Sequence, residues 1–212
     1  MLLDMSRREH PMHPRTRPIP AGEHPSSHCR ASVEQGPCTA ALPGHAPAIG
    51  IGIKRLADGN RGQVLCHFLR LSAEERRMRF CQHATDNALE RYVAEIDFES
   101  SRCFGALDSS GTLIALTEAI PFQSNGIRCL EAAFSTDAGW RCRGLARAGL
   151  EAAQAWARSE GIERIILHCD ARNAAMRGLL RSIDAEVSVD RFEVDATLFP
   201  RAASGAPSAR QA

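Results

Sequence analysis

From residue 49 to residue 198 the apolar positions switch between strand-like alternation and helical spacing. Residues 49–56 read as a strand broken by Asp58-Gly59-Asn60, and 61–71 as a helix. Ser72-Ala73-Glu74-Glu75 has Ser at a cap position and Glu three residues on, a capping box that opens a second helix. Leu89, Tyr92, Val93 and Ile96 share one face of a helix over 86–96. Strands follow at 102–107 and 112–120, joined by the turn Asp108-Ser109-Ser110-Gly111, and at 128–136 after Gln123-Ser124-Asn125-Gly126. Leu145, Gly149, Ala152 and Trp156 mark a long helix over 144–159, with Gly161 as its stop. The apolar run Ile165-Ile166-Leu167-His168-Cys169 suits a central strand. A helix over 173–183 and strands at 187–189 and 192–198 complete the order. The pattern is α/β with a mixed sheet.

The ends have no such periodicity. Residues 1–49 hold eight of the 11 prolines and five of the eight histidines, and cannot bury enough surface to offset ordering entropy, so a disordered tail is expected there. A metal site on His10, His13, His24, His28 and Cys29 is the alternative reading of this segment, but the spacings fix no coordination geometry and no metal is expected. Residues 200–212 are also tail-like, which leaves 50–199 as one domain.

Charge then excludes whole classes of function. The 212 residues carry 26 Lys+Arg against 25 Asp+Glu, a formal net charge of +1, so broad capture of nucleic acid or of an anionic membrane is not expected. Only Lys54 is a lysine. No apolar stretch approaches the roughly 20 residues of a membrane span, and the N-terminus lacks a signal-peptide core, so a cytoplasmic protein is expected. The eight cysteines form no CxxC pair and read as free thiols in a reducing compartment.

The segment that carries chemistry is 131–146, a strand followed by Asp137-Ala138-Gly139-Trp140 and then Arg141-Cys142-Arg143-Gly144-Leu145-Ala146 at the start of the long helix. A helix start presents unpaired N–H groups and partial positive charge to an anion. Gly144 and Ala146 keep that backbone approachable, and Arg141 and Arg143 add cationic donors suited to phosphate oxygens. The segment lacks the Gly-Lys-Ser/Thr end of a P-loop and the GxGxxG of a dinucleotide site.

Arg-x-x-Gly-x-Ala at 141–146, between a strand and a long amphipathic helix, resembles the acyl-CoA pyrophosphate loop of the GNAT (GCN5-related) N-acetyltransferase superfamily. The strand at 165–169 followed by Asn173-Ala174-Ala175-Met176 resembles that family's second motif, and the resemblance spans about 50–199. Residues 71–80 and Leu130-Glu131-Ala132-Ala133-Phe134 are similar to the GNAT domain of bacterial protein-lysine acetyltransferases.

The resemblance implies a mixed, mostly antiparallel sheet flanked by helices, and an N-acetyltransferase that moves an acyl group from acetyl-CoA to a primary amine in one ternary complex. A protein lysine is slightly favoured over a small amine as acceptor, and a homodimer is possible within this family. It implies Glu131 as general base, with Glu118 on the preceding strand as the substitute. Phe134, Ser135 and Thr136 would bind the pantetheine arm and acyl carbonyl through their backbone, and Arg141, Arg143, Gly144, Leu145 and Ala146 the pyrophosphate. Asn173 would stand on the far side of the arm, and as a helix cap at the same time. The chain departs from the family at Leu180, where many relatives place a Tyr that protonates the departing thiolate, so no general acid is named. A non-catalytic acyl-CoA-binding module is the competing reading.

Overall fold

The computed structural model describes residues 51–200; the expected N-terminal tail and residues 201–212 of the C-terminal one lie outside the described residues. The chain forms β1 (Ile53–Leu56), α1 (Arg61–Arg70), α2 (Ala73–Phe80), α3 (Asp86–Ala94), β2 (Arg102–Leu107), β3 (Leu113–Ser124) and β4 (Ile127–Thr136). It continues through α4 (Leu145–Ser159), β5 (Arg164–Asp170), α5 (Ala174–Arg181), β6 (Glu186–Asp190) and β7 (Glu193–Leu198). The seven strands form one sheet in the order β1-β2-β3-β4-β5-β7-β6. Only β4 and β5 run parallel, so the expected mixed, mostly antiparallel sheet is what forms.

Local chemistry explains most boundaries. Ser72 caps α2 as the capping box requires: its hydroxyl accepts from the Glu75 N–H at 3.3 Å, and the Glu75 carboxylate accepts from the Ser72 N–H at 2.7 Å. The β3–β4 hairpin is longer than the pattern suggests, because Ser124 pairs with Ile127 and only Asn125 and Gly126 turn the chain. Both sit at positive φ (50° and 77°), the two-residue Asn-Gly turn whose twist matches the strands it joins. The 121–124 stretch, left outside the expected strand, is therefore strand.

Each side of the sheet has its own core. On one side α1, α2 and α3 pack Val64, Phe68, Phe80, Leu89 and Tyr92 against Leu56, Cys103 and Leu116. On the other, Leu150, Ala153 and Ala157 of α4 meet Leu130, Ala132, Ile165 and Leu167. Gly149 lets α4 lie this close: a Cβ there would stand 2.0 Å from the Thr117 hydroxyl. No described helix is long and apolar enough to cross a membrane.

Candidate active site

The sheet is divided in its middle. The β4–β5 ladder consists of Cys129–Arg164, Leu130–Ile165 and Glu131–Ile166, and then stops. Beyond that point β4 stays paired with β3 as far as Thr136, and β5 with β7 as far as Asp170. A split therefore opens between 132–136 and 167–170, with Glu131 at its floor. Strand residues turn their amide groups alternately toward one neighbour and the other. Arg128 gives its C=O to the Glu163 N–H on the β5 side, so Ala132, Phe134 and Thr136 turn theirs the same way, into the split. Ser135 turns its amide toward β3, so among the three residues assigned to the arm it differs from Phe134 and Thr136.

Because β4 and β5 are parallel, the segments that follow them leave at the same end of the split. After β4 a short 3-10 turn at Ala138–Trp140 leads to Cys142 and Gly144, both at positive φ (58° and 80°). Gly144 is the N-cap of α4 and makes no side-chain cap bond, so the first helical amides, at Leu145 and Ala146, are left for another acceptor. A tight turn leading into an uncapped helix start is a donor arrangement of the kind that can hold an anion. Across the opening Asn173 caps α5, its side-chain oxygen accepting from the Met176 N–H at 3.1 Å. The two cationic side chains of the loop are otherwise engaged: Arg141 bonds the Glu75 carboxylate, and Arg143 lies 4.7 Å from the Trp140 ring centre. What the loop leaves open to an anion is its helix-start backbone.

Register places Leu116, Glu118, Ile120, Glu131, Ala133 and Ser135 on the face covered by α1–α3. Glu118 and Glu131 are both buried. Glu118 is committed: its carboxylate pairs with Arg79 and accepts from the Tyr92 hydroxyl at 2.9 Å. Burial works against the Arg79 charge, but the Glu118 carboxylate, Tyr92 and Glu131 together outweigh it and hold the guanidinium protonated. Burial also pushes the Tyr92 phenol up, as does Glu118, so it remains a donor. With Glu118 so tied, Glu131 is the carboxylate at the split. Leu180 is buried in the α4-side core.

Sequence reading missed Arg79, Tyr92, His67 and Asp137. Tyr92 and His67 were visible only as members of apolar helical stripes, and nothing in the polar sequence of α2 singles out Arg79. His67, fully buried, lies with Nε2 2.8 Å from Ser135 Oγ and Nδ1 3.0 Å from Asp137 Oδ1.

Residues 67–183, more than half of the chain, match the model of the acetyltransferase (GNAT) family. The chain belongs to the GNAT family. Solved GNAT structures share its fold. The GNAT domain of S. lividans PAT superposes with a TM-score of 0.58 at 19% identity, over 69% of this chain and 89% of that one. A GCN5-related N-acetyltransferase from Kribbella flavida gives 0.57 at 19% identity, over 70% and 98%. Spermidine N-acetyltransferase from Vibrio cholerae, solved with CoA and spermine, gives 0.57 at 17% identity, over 71% and 95%. No curated protein sequence matches significantly. Members of the GNAT family are N-acetyltransferases.

Proposed function

We propose that residues 50–199 form an N-acetyltransferase domain that carries an acetyl group from acetyl-CoA to a primary amine, with a protein lysine slightly favoured over a small amine. The observation that carries this reading is the end of the β4–β5 ladder at Glu131, with amides of β4 and the start of α4 aimed into the same opening. The amides of Leu145 and Ala146 at the glycine-capped start of α4 would take the diphosphate. Phe134 and Thr136 would pair with the pantetheine arm as a strand would, and the Phe134 N–H would donate to the thioester oxygen as it gains charge. Asn173 would close the far side. The bound thioester supplies the activated acyl group; the rest is positioning.

An aliphatic amine with a pKa near ~10.4 is mostly protonated at neutral pH and is then no nucleophile. Glu131 would take that proton, directly or through water. The 71–80 and 130–134 resemblances support a lysine acceptor; the shared fold of a spermidine N-acetyltransferase supports a small polyamine.

A screen of CoA release over amine classes, including a lysine peptide, tests the activity. Glu131→Gln should lower turnover at saturating amine by at least ~10²-fold while CoA affinity stays within a few fold. Unchanged turnover removes Glu131 from the mechanism, and no thermal shift with CoA removes the site.

A further inference from the structure

Direct transfer to an amine leaves one set of reactive groups without a task. The Leu113 carbonyl lies 3.1 Å from His67 Nδ1. A carbonyl only accepts, so Nδ1 carries a hydrogen, and in the neutral ring Nε2 is the bare nitrogen. Ser135 Oγ, 2.8 Å from Nε2, therefore donates its proton to it. Asp137 Oδ1 is buried, lies 3.0 Å from Nδ1 and makes no hydrogen bond, so it faces the ring edge where positive charge would grow. Arg70 holds the other carboxylate oxygen, Oδ2, at 2.8 Å and fixes that orientation. Serine, imidazole and carboxylate stand in the order of a base-activated nucleophile. Three separate elements bring them together: α1, the end of β4 and the turn after it.

The position of Ser135 gives the arrangement a substrate. It lies between Phe134 and Thr136, whose amides face the split, and between the anion cradle and Glu131 on the same strand. A thioester that reaches from the cradle toward Glu131 runs along the strand that carries Ser135. We infer that Ser135, activated by His67, is a second acyl acceptor, and that the protein hydrolyses acyl-CoA through an acyl-serine when no amine is present. This rests on the reading of the split as a thioester site.

The steps balance with water as the only co-reactant. Ser135 Oγ attacks the thioester carbon as its proton passes to His67 Nε2, and the Phe134 N–H steadies the oxyanion. The C–S bond then breaks, and the proton on Nε2 goes to the departing sulfur, which leaves as the thiol. Water next gives a proton to Nε2 and its oxygen to the acyl carbon. The Ser135 ester bond breaks, the proton returns to Oγ, and a carboxylic acid is released. In both halves the Asp137 carboxylate stabilises the transient imidazolium.

The test incubates the full chain with acetyl-CoA and no amine, reading free thiol, acetate and intact mass after acid quench, with CoA occupancy measured by calorimetry for each variant. Continuous release of thiol and acetate is expected, with one added acetyl group on the peptide that carries Ser135. Ser135→Ala should lose the adduct and fall to the solution rate per occupied site. His67→Gln, which keeps a hydrogen-bonding side chain in the buried position, should slow thiol release about 10²-fold. The wild-type adduct decides the matter even if a variant fails to fold. CoA binding with thiol release at the solution rate and no adduct overturns the inference alone. Absence of CoA binding overturns the thioester-site reading and this inference with it.

Discussion

Along β4 the even positions, Leu130, Ala132 and Phe134, pack against the apolar side of α4, whereas the odd positions, Glu131 and Ser135, lie among Arg79, Glu118 and His67 under α1–α3. Both faces are buried, yet one is filled by dispersion contacts and the other by paired polar groups. Burial alone therefore does not mark a position as packing. A buried polar side chain survives only with partners, and building those partners from three helices is what holds Glu131 and Ser135 at the split.

The contrast can be broken in order of expected effect. Glu118→Ala leaves the buried Arg79 without its main counter-charge and should cost about 3–5 kcal/mol in urea unfolding. A loss under about 1 kcal/mol would mean that water replaces the pair and that the face is not dry. On the apolar side, Leu150→Ala should cost about 2–5 kcal/mol, set by how far the cavity collapses. If both lose stability but only Glu118→Ala changes amine transfer, the two faces are separable as described.

Gly149→Ala sharpens the apolar side. Helix propensity favours Ala by about 1 kcal/mol, but the added methyl meets the Thr117 hydroxyl, and overpacking costs about 1–3 kcal/mol. A net loss in melting temperature that Thr117→Ser fails to relieve and Thr117→Ala relieves in part would assign the clash to that hydroxyl. A gain in stability would show that α4 can lift from the sheet.

The smallest effect tests the polar side at its rim. Hydrogen bonds from Arg172, and then from Arg77 of α2, hold the Asp170 carboxyl well below the usual carboxylate range. Its folded value lies under its unfolded one, so its contribution is complete above the ordinary ~3.9 and fades as pH falls through and below that value. Asp170→Asn should flatten the acid limb of the stability profile, by less at high salt because the group is near solvent. An unchanged acid limb would leave α2 with no electrostatic tie to the end of β5.

The order of elements, the glycine-stopped α4, the capping box at Ser72 and the glycine-opened start of α4 were legible because each depends on neighbours in sequence. The Asn125-Gly126 turn was legible in principle, but the polar residues around it read as loop, since a solvent-facing hairpin end shows little apolar alternation. The side chains of Arg141 and Arg143 read as phosphate donors because charge at a helix start attracts anions; their actual partners, Glu75 and Trp140, come from a distant helix and from the turn itself. His67 and Tyr92 sat in apolar stripes, where helical periodicity cannot tell a filler from a partnered polar group.

The sequence by itself determined the order of helices and strands, the uncapped start of the long helix after a tight turn, and that Glu131 precedes that turn on a strand. These follow from backbone propensity and from spacing within a few residues. Only the tertiary structure decided that the β4–β5 ladder ends at Glu131, that Glu118 is consumed by Arg79 and Tyr92, and that His67 stands behind Ser135. Those are meetings of groups 26 to 68 residues apart. Such meetings are selected when the sheet closes and every buried polar atom must find a partner, a condition no local stretch of chain can express.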